Sequence, residues 1–222
     1  MFICKIGYEN IEKGLNCQDF GFEYGNIKCV MDGCSASKHS EVGVKLFAHL
    51  FSKGLNIYEC FNKLLEIFPD YHDIENHLLF TVLCVSENDD EYVVDICGDG
   101  YIIKQKYDNS IEYEKIGEGN TPPYFAYNFV PQSRLPKYKD GVVFKRHIFT
   151  KSEYKAIGVA SDGLEYILNS PFKEEFEQLL IRRKEFPIRR LINREQKYIE
   201  DGIVKYFSDG ISIVIWGESK WI

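Results

Sequence analysis

Five aspartates stand beside turn residues, where a carboxylate can be presented instead of buried. They lie in Asn16-Cys17-Gln18-Asp19, Met31-Asp32-Gly33, Gly98-Asp99-Gly100, Ser161-Asp162-Gly163 and Ser208-Asp209-Gly210. Any one of them alone reads as a plain turn, because Asp-Gly is common turn chemistry. Three, however, follow short runs at 27–31, 95–97 and 156–160 that read as strand ends. Strand ends can converge on one rim of a sheet, and carboxylates gathered there repel one another unless something compensates them. Hard divalent cations such as Mg²⁺ or Mn²⁺ are the natural compensation, since they take carboxylate, carbonyl and water oxygens.

The other reactive residue types offer less. Seven cysteines are present, with no C-x-x-C, and none has an arginine six residues later to clamp phosphate. That removes a cysteine-based phosphatase and makes a zinc knuckle or redox dithiol poorly founded. Seven reduced, mostly core-packed thiols are expected. No two of the five histidines share metal spacing on a helix. His49 falls inside an apolar helix and reads as a packed or edge residue. His39, seven residues after Asp32, could reach a site as a general acid but reads first as surface loop. The basic stretch Arg182 to Arg194 reads as a solvated helix face, with a docking patch for an acidic partner as the sharper alternative. Tyr124, Phe125, Tyr127 and Phe129 read as loop or core packing, or as a flap over a substrate.

The elements that must position these residues follow from periodicity. Short buried strands are expected at 2–6 and 27–31, and helices at 40–52 and 57–68, the second with apolar residues at helical spacing. Residues 78–85, 92–97 and 101–107 read as an antiparallel meander turning at 87–90 and 98–100. Four of seven prolines fall between Pro122 and Pro136, which predicts a long loop. A strand at 155–160, helices at 172–183 and 188–198 separated by Pro187, and a last strand at 211–216 complete the chain. This order predicts an α+β fold, an antiparallel sheet core covered by helices, with no βαβ winding. The 222 residues suit one domain over 1–222, and a net charge of −7 argues against nucleic acid and anionic membranes as partners. No apolar run approaches a membrane span and the N-terminus lacks a signal-peptide pattern, so a cytoplasmic location is expected.

In order and spacing, these motifs resemble the metal-dependent PP2C (PPM) Ser/Thr protein phosphatases. The resemblance runs from Ile6 to Trp216. Asn16 to Asp19 looks like that family's N-(E/Q)-D segment. Val30 to Gly33, with Ser40-Glu41-Val42-Gly43 opening a helix, looks like its D-G…S…G-A block. Cys97-Gly98-Asp99-Gly100 is similar to its G-D-S strand pair. Gly158 to Leu164 matches a strand ending in S-D-G-L, and Ser208 to Ile215 the closing D-(D/N)-x-(S/T) strand.

The resemblance implies an α-β-β-α sandwich and two Mn²⁺ or Mg²⁺ ions. Asp32 would bridge them and the Gly33 carbonyl would add a ligand. Asp162 and Asp209 would complete one ion, and Asp19, or Gln18 through its amide oxygen, would support the other. Asp99 with Asp162 would hold a third. It implies hydrolysis of phosphoserine or phosphothreonine on proteins by a metal-bridging water, without a phosphoenzyme. The chain departs from the pattern at three places. Cys34 takes a histidine slot, Gly210 stands where Asp or Asn is usual, and no arginine precedes Arg134. Lys13 is then the nearest cation for a phosphoryl group, with Asn16 as the second substrate-side candidate. Those departures motivate the alternative, a PP2C-fold regulatory or binding module with weak catalysis.

Overall fold

The computed structural model describes residues 1–117, 122–131, 136–200, 202–207 and 209–217. Two antiparallel five-stranded sheets lie face to face. The first runs β1 (Phe2–Lys5), β12 (Ile211–Gly217), β9 (Tyr154–Ala160), β6 (Gly100–Lys106) and β7 (Ile111–Ile116). The second runs β2 (Phe20–Tyr24), β3 (Ile27–Met31), β4 (Val82–Glu87), β5 (Glu91–Cys97) and β8 (Lys145–Thr150). A separate hairpin pairs β10 (Lys197–Glu200) with β11 (Ile203–Tyr206).

The two-residue period of a strand explains why the central strands read as unbroken apolar runs. Val30, Leu83, Val85 and Val94 point inward and meet Ile102, Ile157, Val159 and Val214 of the facing sheet. Their neighbours point outward. Cys29, Met31 and Val82 meet the helices α2 (Ser40–Phe51), α3 (Ile57–Ile67) and α4 (Tyr71–His77), through Val44, Phe47, Phe61 and Leu64. On the other side Ile103, Ala160 and Ile213 meet α5 (Leu164–Leu168), α6 (Lys173–Ile181) and α7 (Glu185–Glu195), through Phe176, Leu180 and Leu191. The result is the expected α-β-β-α sandwich. Helix α3 starts where the sequence sets it. The Asn56 side chain accepts from the Glu59 backbone N–H at 3.0 Å, and Glu59 accepts from the Asn56 N–H at 2.8 Å. No helix among the described residues is long and apolar enough to cross a membrane.

Several expectations need correction. Residues 92–97 and 101–107 are not neighbours in a meander. β5 pairs with β4 and β8, whereas β6 pairs with β7 and β9, so Gly98-Asp99-Gly100 carries the chain from one sheet to the other. Both glycines need positive φ, +126° and +134°, which bulkier residues rarely adopt. Strand β4 begins at Val82, not residue 78, because α4 runs to His77. Pro187 does not separate two helices. The break is at Arg183 (φ +54°), and Pro187 sits in the first turn of α7, where a missing N–H costs nothing. Residues 197–198 belong to β10. The short helices α1 (Tyr8–Glu12), α4 and α5, the strands β2, β7 and β8, and the β10–β11 hairpin carried no signal strong enough to read. Of the expected 122–136 loop, residues Phe125–Phe129 form a 3₁₀ turn that buries Phe125 and Tyr127 in the α2–α3 core. Finally, Cys29 and Cys84, directly opposed on β3 and β4, form a disulfide, so those two thiols are not reduced.

The sheet switch makes a stability prediction. An added Cβ at Gly100 would meet Leu83 Cδ2 at 2.9 Å and crowd the Ala160 carbonyl more closely still, whereas Gly25 (φ +57°) faces open space. Gly100→Ala should lower the unfolding free energy by roughly 2–4 kcal/mol, strain plus overpacking. Gly25→Ala should lose only about 1–2 kcal/mol. Equal losses in urea titrations would show that the space around Gly100 is slack.

Candidate active site

Antiparallel pairing brings the five aspartates to one rim. In the first sheet, Ala160 at the end of β9 lies opposite both Tyr101 near the start of β6 and Ile213 near the start of β12. Asp162, Asp99 and Asp209 therefore flank the same edge. In the second sheet, Met31 at the end of β3 pairs with Phe20 at the start of β2, which sets Asp32 beside Asp19. A cavity of about 380 Å³ opens there, lined by Asp32, Asp99, Asp162, Asp209, Thr81 and Tyr124, together with Gly33 and Cys34. A larger hollow of about 690 Å³ adjoins it and shares Asp162 and Asp209.

Each carboxylate is held by identifiable partners. The Asp32 N–H donates to Thr81 Oγ1 at 3.1 Å, and the Thr81 N–H donates to the Asp32 carbonyl at 2.8 Å. Asp19 is only 3% exposed and accepts from Ser161 Oγ at 3.1 Å, while Ser161 Oγ accepts from the Ser212 N–H at 3.0 Å. Asp209 accepts from the Gly210 N–H at 2.7 Å. Gly210 also explains one departure from the phosphatase pattern. Any Cβ at that position would stand 2.6 Å from Asp19 Oδ1, so a larger residue would displace Asp19. Asp162 Oδ1 is buried with no hydrogen-bond partner among the described residues. A carboxylate oxygen left so is costly unless something else meets it.

The electrostatics say what that something must be. Burial, and then the charges of Asp19, Asp162 and Asp209, push the Asp32 carboxyl well above the usual carboxylate range. Asp19 rises likewise, from burial first and then from Cys4 and Asp209. Asp99 and Asp209 are each pushed up to about 6, by burial and then by Asp162. No lysine, arginine or histidine is among the described residues lining the 380 Å³ cavity. Nor do any three carboxylate, imidazole or thiol side chains among the described residues form a ready-made metal cage. The donor set is nevertheless hard oxygen throughout, mutually repelling, with one oxygen orphaned, and this fits a divalent cation.

The substrate-side candidates do not join this cluster. Lys13 caps the end of α1, is 60% exposed, and pairs with Glu9 at 3.1 Å. Five residues along an irregular segment is too loose a tether to fix a side chain's direction. Asn16 donates to Glu41 Oε1 at 3.3 Å. Gln18 spends its amide N–H groups on the Cys34 and Ser37 carbonyls and Ser40 Oγ, bracing the 34–40 loop. His39 stacks on His77, and His49 is exposed on α2. The basic stretch is mostly a solvated helix face, with Arg182, Lys184 and Arg190 exposed, and its other arginines have partners within the fold. Arg183 donates to Gln105, Arg189 to Glu185 and the Phe2 carbonyl, and Arg194 to Glu175. Ser208 and Arg134 lie outside the described residues. Thr81 and Tyr124 are site residues that sequence reasoning missed. Thr81 could have been found as the polar residue breaking an apolar strand start.

No family model and no curated protein matches the sequence. Solved structures do match. A bacterial serine phosphatase aligns over 98% of both chains at 15% identity, with a TM-score of 0.60. The serine/threonine phosphatase Stp1 from Staphylococcus aureus aligns over 97% of this chain and 92% of its own, at 14% identity and TM-score 0.58. The fold is that of the PP2C-type phosphatases. A third protein of the PP2C fold, the catalytic domain of the serine/threonine phosphatase PstP, was solved in complex with two manganese ions. It aligns over 97% of this chain and 96% of its own, at 12% identity and TM-score 0.55. At these identities the likeness establishes the PP2C architecture, and the chemistry must be argued from the residues of this chain.

Proposed function

We propose that this chain is a metal-dependent serine/threonine protein phosphatase acting from the aspartate rim as one domain over 1–222. The observation that carries this reading is the convergence of Asp32, Asp99, Asp162 and Asp209 on a cavity with no cationic side chain among its described lining residues. A phosphoryl group brings further negative charge, so this cavity repels its substrate unless cations are supplied. Asp32 with the Gly33 carbonyl, Asp162, Asp209 and Asp19 would hold two Mn²⁺ or Mg²⁺ ions, and Asp99 with Asp162 a third. When bound, such ions neutralise phosphoryl oxygens and acidify the attacking water. The chain's own work is positioning. Thr81 clamps the Asp32 backbone from both sides, and the Ser212–Ser161–Asp19 relay fixes the most buried carboxylate. Tyr124, its hydroxyl near Cys34 and held protonated by burial, closes one wall. Mn²⁺-dependent hydrolysis of p-nitrophenyl phosphate and of a phosphothreonine peptide, blocked by EDTA, tests this reading.

The alternative, a binding module of the same fold, draws on the position of Lys13. If catalysis needs a protein cation at the phosphate, this chain places none among the described residues lining the cavity. We expect Lys13→Ala to leave kcat/KM within about twofold, because an exposed ion pair of this kind contributes little. A tenfold rise in KM for the phosphopeptide would restore Lys13 as the phosphate-side cation.

A further inference from the structure

Two cysteines outside the aspartate cavity stand together. Cys4 lies on β1, Cys17 in the irregular segment between α1 and β2, and their sulfurs are 3.8 Å apart. Both are partly exposed, whereas Cys60 and Cys97 are buried. A hollow of about 190 Å³ between β1 and α7 opens on Cys4, walled by Ile3, Ile192 and Asn193. It gives a small reagent a route to the Cys4 sulfur. The Cys4 thiol also donates to the Asp19 carbonyl at 3.5 Å, so one hydrogen bond links this pair to the segment carrying Gln18 and Asp19.

We propose that Cys4 and Cys17 form a reversible dithiol–disulfide pair, a modification site through which thiol oxidants act on the Asp19 segment. A disulfide is about 2.05 Å long, so the sulfurs must approach by roughly 1.8 Å. Cys17 is on neither helix nor strand, so side-chain rotation and a small shift of its segment can supply that approach. The oxidant is a small disulfide such as glutathione disulfide. The Cys4 thiolate attacks one sulfur of it, forms a mixed disulfide and releases one thiolate. The Cys17 thiolate then attacks the Cys4 sulfur and releases the second. The protein loses two protons and two electrons, and one disulfide molecule becomes two thiols. Closure removes the S–H that served the Asp19 carbonyl and ties the segment to β1. The dithiol chemistry does not depend on the phosphatase reading.

The test uses the full chain in glutathione buffers of graded poise, followed by alkylation and non-reducing peptide mapping by mass. A Cys4–Cys17 cross-linked peptide is expected, two hydrogens lighter than its parts, vanishing on reduction while Cys60 and Cys97 remain free thiols. The oxidised protein should melt several degrees higher than the reduced one, as for a short closed loop. That shift should be absent in Cys17→Ser and in Cys4→Ala, either of which suffices if the other fails to fold. Cys4 and Cys17 both alkylated at every poise would overturn the proposal. So would a glutathione adduct persisting on Cys4, or a cross-link that reductant does not open.

Discussion

Asp32→Asn should abolish Mn²⁺ binding and lower kcat/KM by roughly three orders of magnitude, the scale expected when a divalent-metal contribution is lost. Asp32 is the carboxylate on which the charges of Asp19, Asp162 and Asp209 all act, so it sits at the middle of the cluster. An amide keeps its shape but offers one neutral oxygen in place of a shared negative charge, which is a poor ligand for a hard cation. Thr81 holds the Asp32 backbone and not its carboxylate, so the substitution leaves that clamp intact. The same change should raise the melting temperature of the metal-free protein near neutral pH, because one repelling charge leaves the cluster. Calorimetric titration with Mn²⁺, p-nitrophenyl phosphate kinetics and a melting curve in EDTA together separate this outcome from simple misfolding. Near-normal turnover by a folded Asp32→Asn protein would sink the assignment of the rim as the active site.

The rim was legible because its signal is local. Each aspartate follows or precedes a short apolar run, and any antiparallel sandwich returns such ends to one edge. The meander error shows where locality fails. Gly98-Asp99-Gly100 has the same composition whether it closes a hairpin or passes the chain between sheets. The choice is made by β8 and β9, some fifty residues later, which take the partner edges of β5 and β6. The Cys29–Cys84 pairing needs the β3–β4 register, which composition does not contain. Pro187 was misread because the same residue breaks a helix interior and suits a helix start. The placement of Lys13 shows the same limit. Spacing from Gln18 places a residue along the chain, but Glu9, one turn earlier on the same helix, takes its charge.

The metal-free protein should be more stable at about pH 5 than at about pH 7.5, and Mn²⁺ should reverse that order. Asp99 and Asp209 are pushed up to about 6, and Asp19 and Asp32 lie well above their usual range. In the unfolded chain these groups titrate near 3.9. Between those values the folded protein holds protons that the unfolded chain releases. The stability that Asp99 and Asp209 contribute is therefore fully present below about pH 4 and is lost as pH rises through about 6, and Asp19 and Asp32 act in the same direction. The Met1 amine, lowered by burial to about 6, acts in the opposite sense, as does the Cys4 thiol, lowered to about 7 by its hydrogen bond with Cys17, but these are two groups against four. Exposed carboxylates with lowered values, such as Asp108 and Glu112, already titrate below this window. Mn²⁺ binds the ionised carboxylates and competes with their protons, so its stabilisation grows with pH. A ligand at a hundred times its dissociation constant contributes about 2.7 kcal/mol. Melting curves at the two pH values, in EDTA and in saturating Mn²⁺, check both halves of the expectation. In EDTA, Asp209→Asn should flatten the pH dependence by removing one of the titrating groups. A metal-free midpoint that rises towards pH 7.5, or an equal Mn²⁺ shift at both pH values, would show that the aspartates neither repel one another nor share a cation.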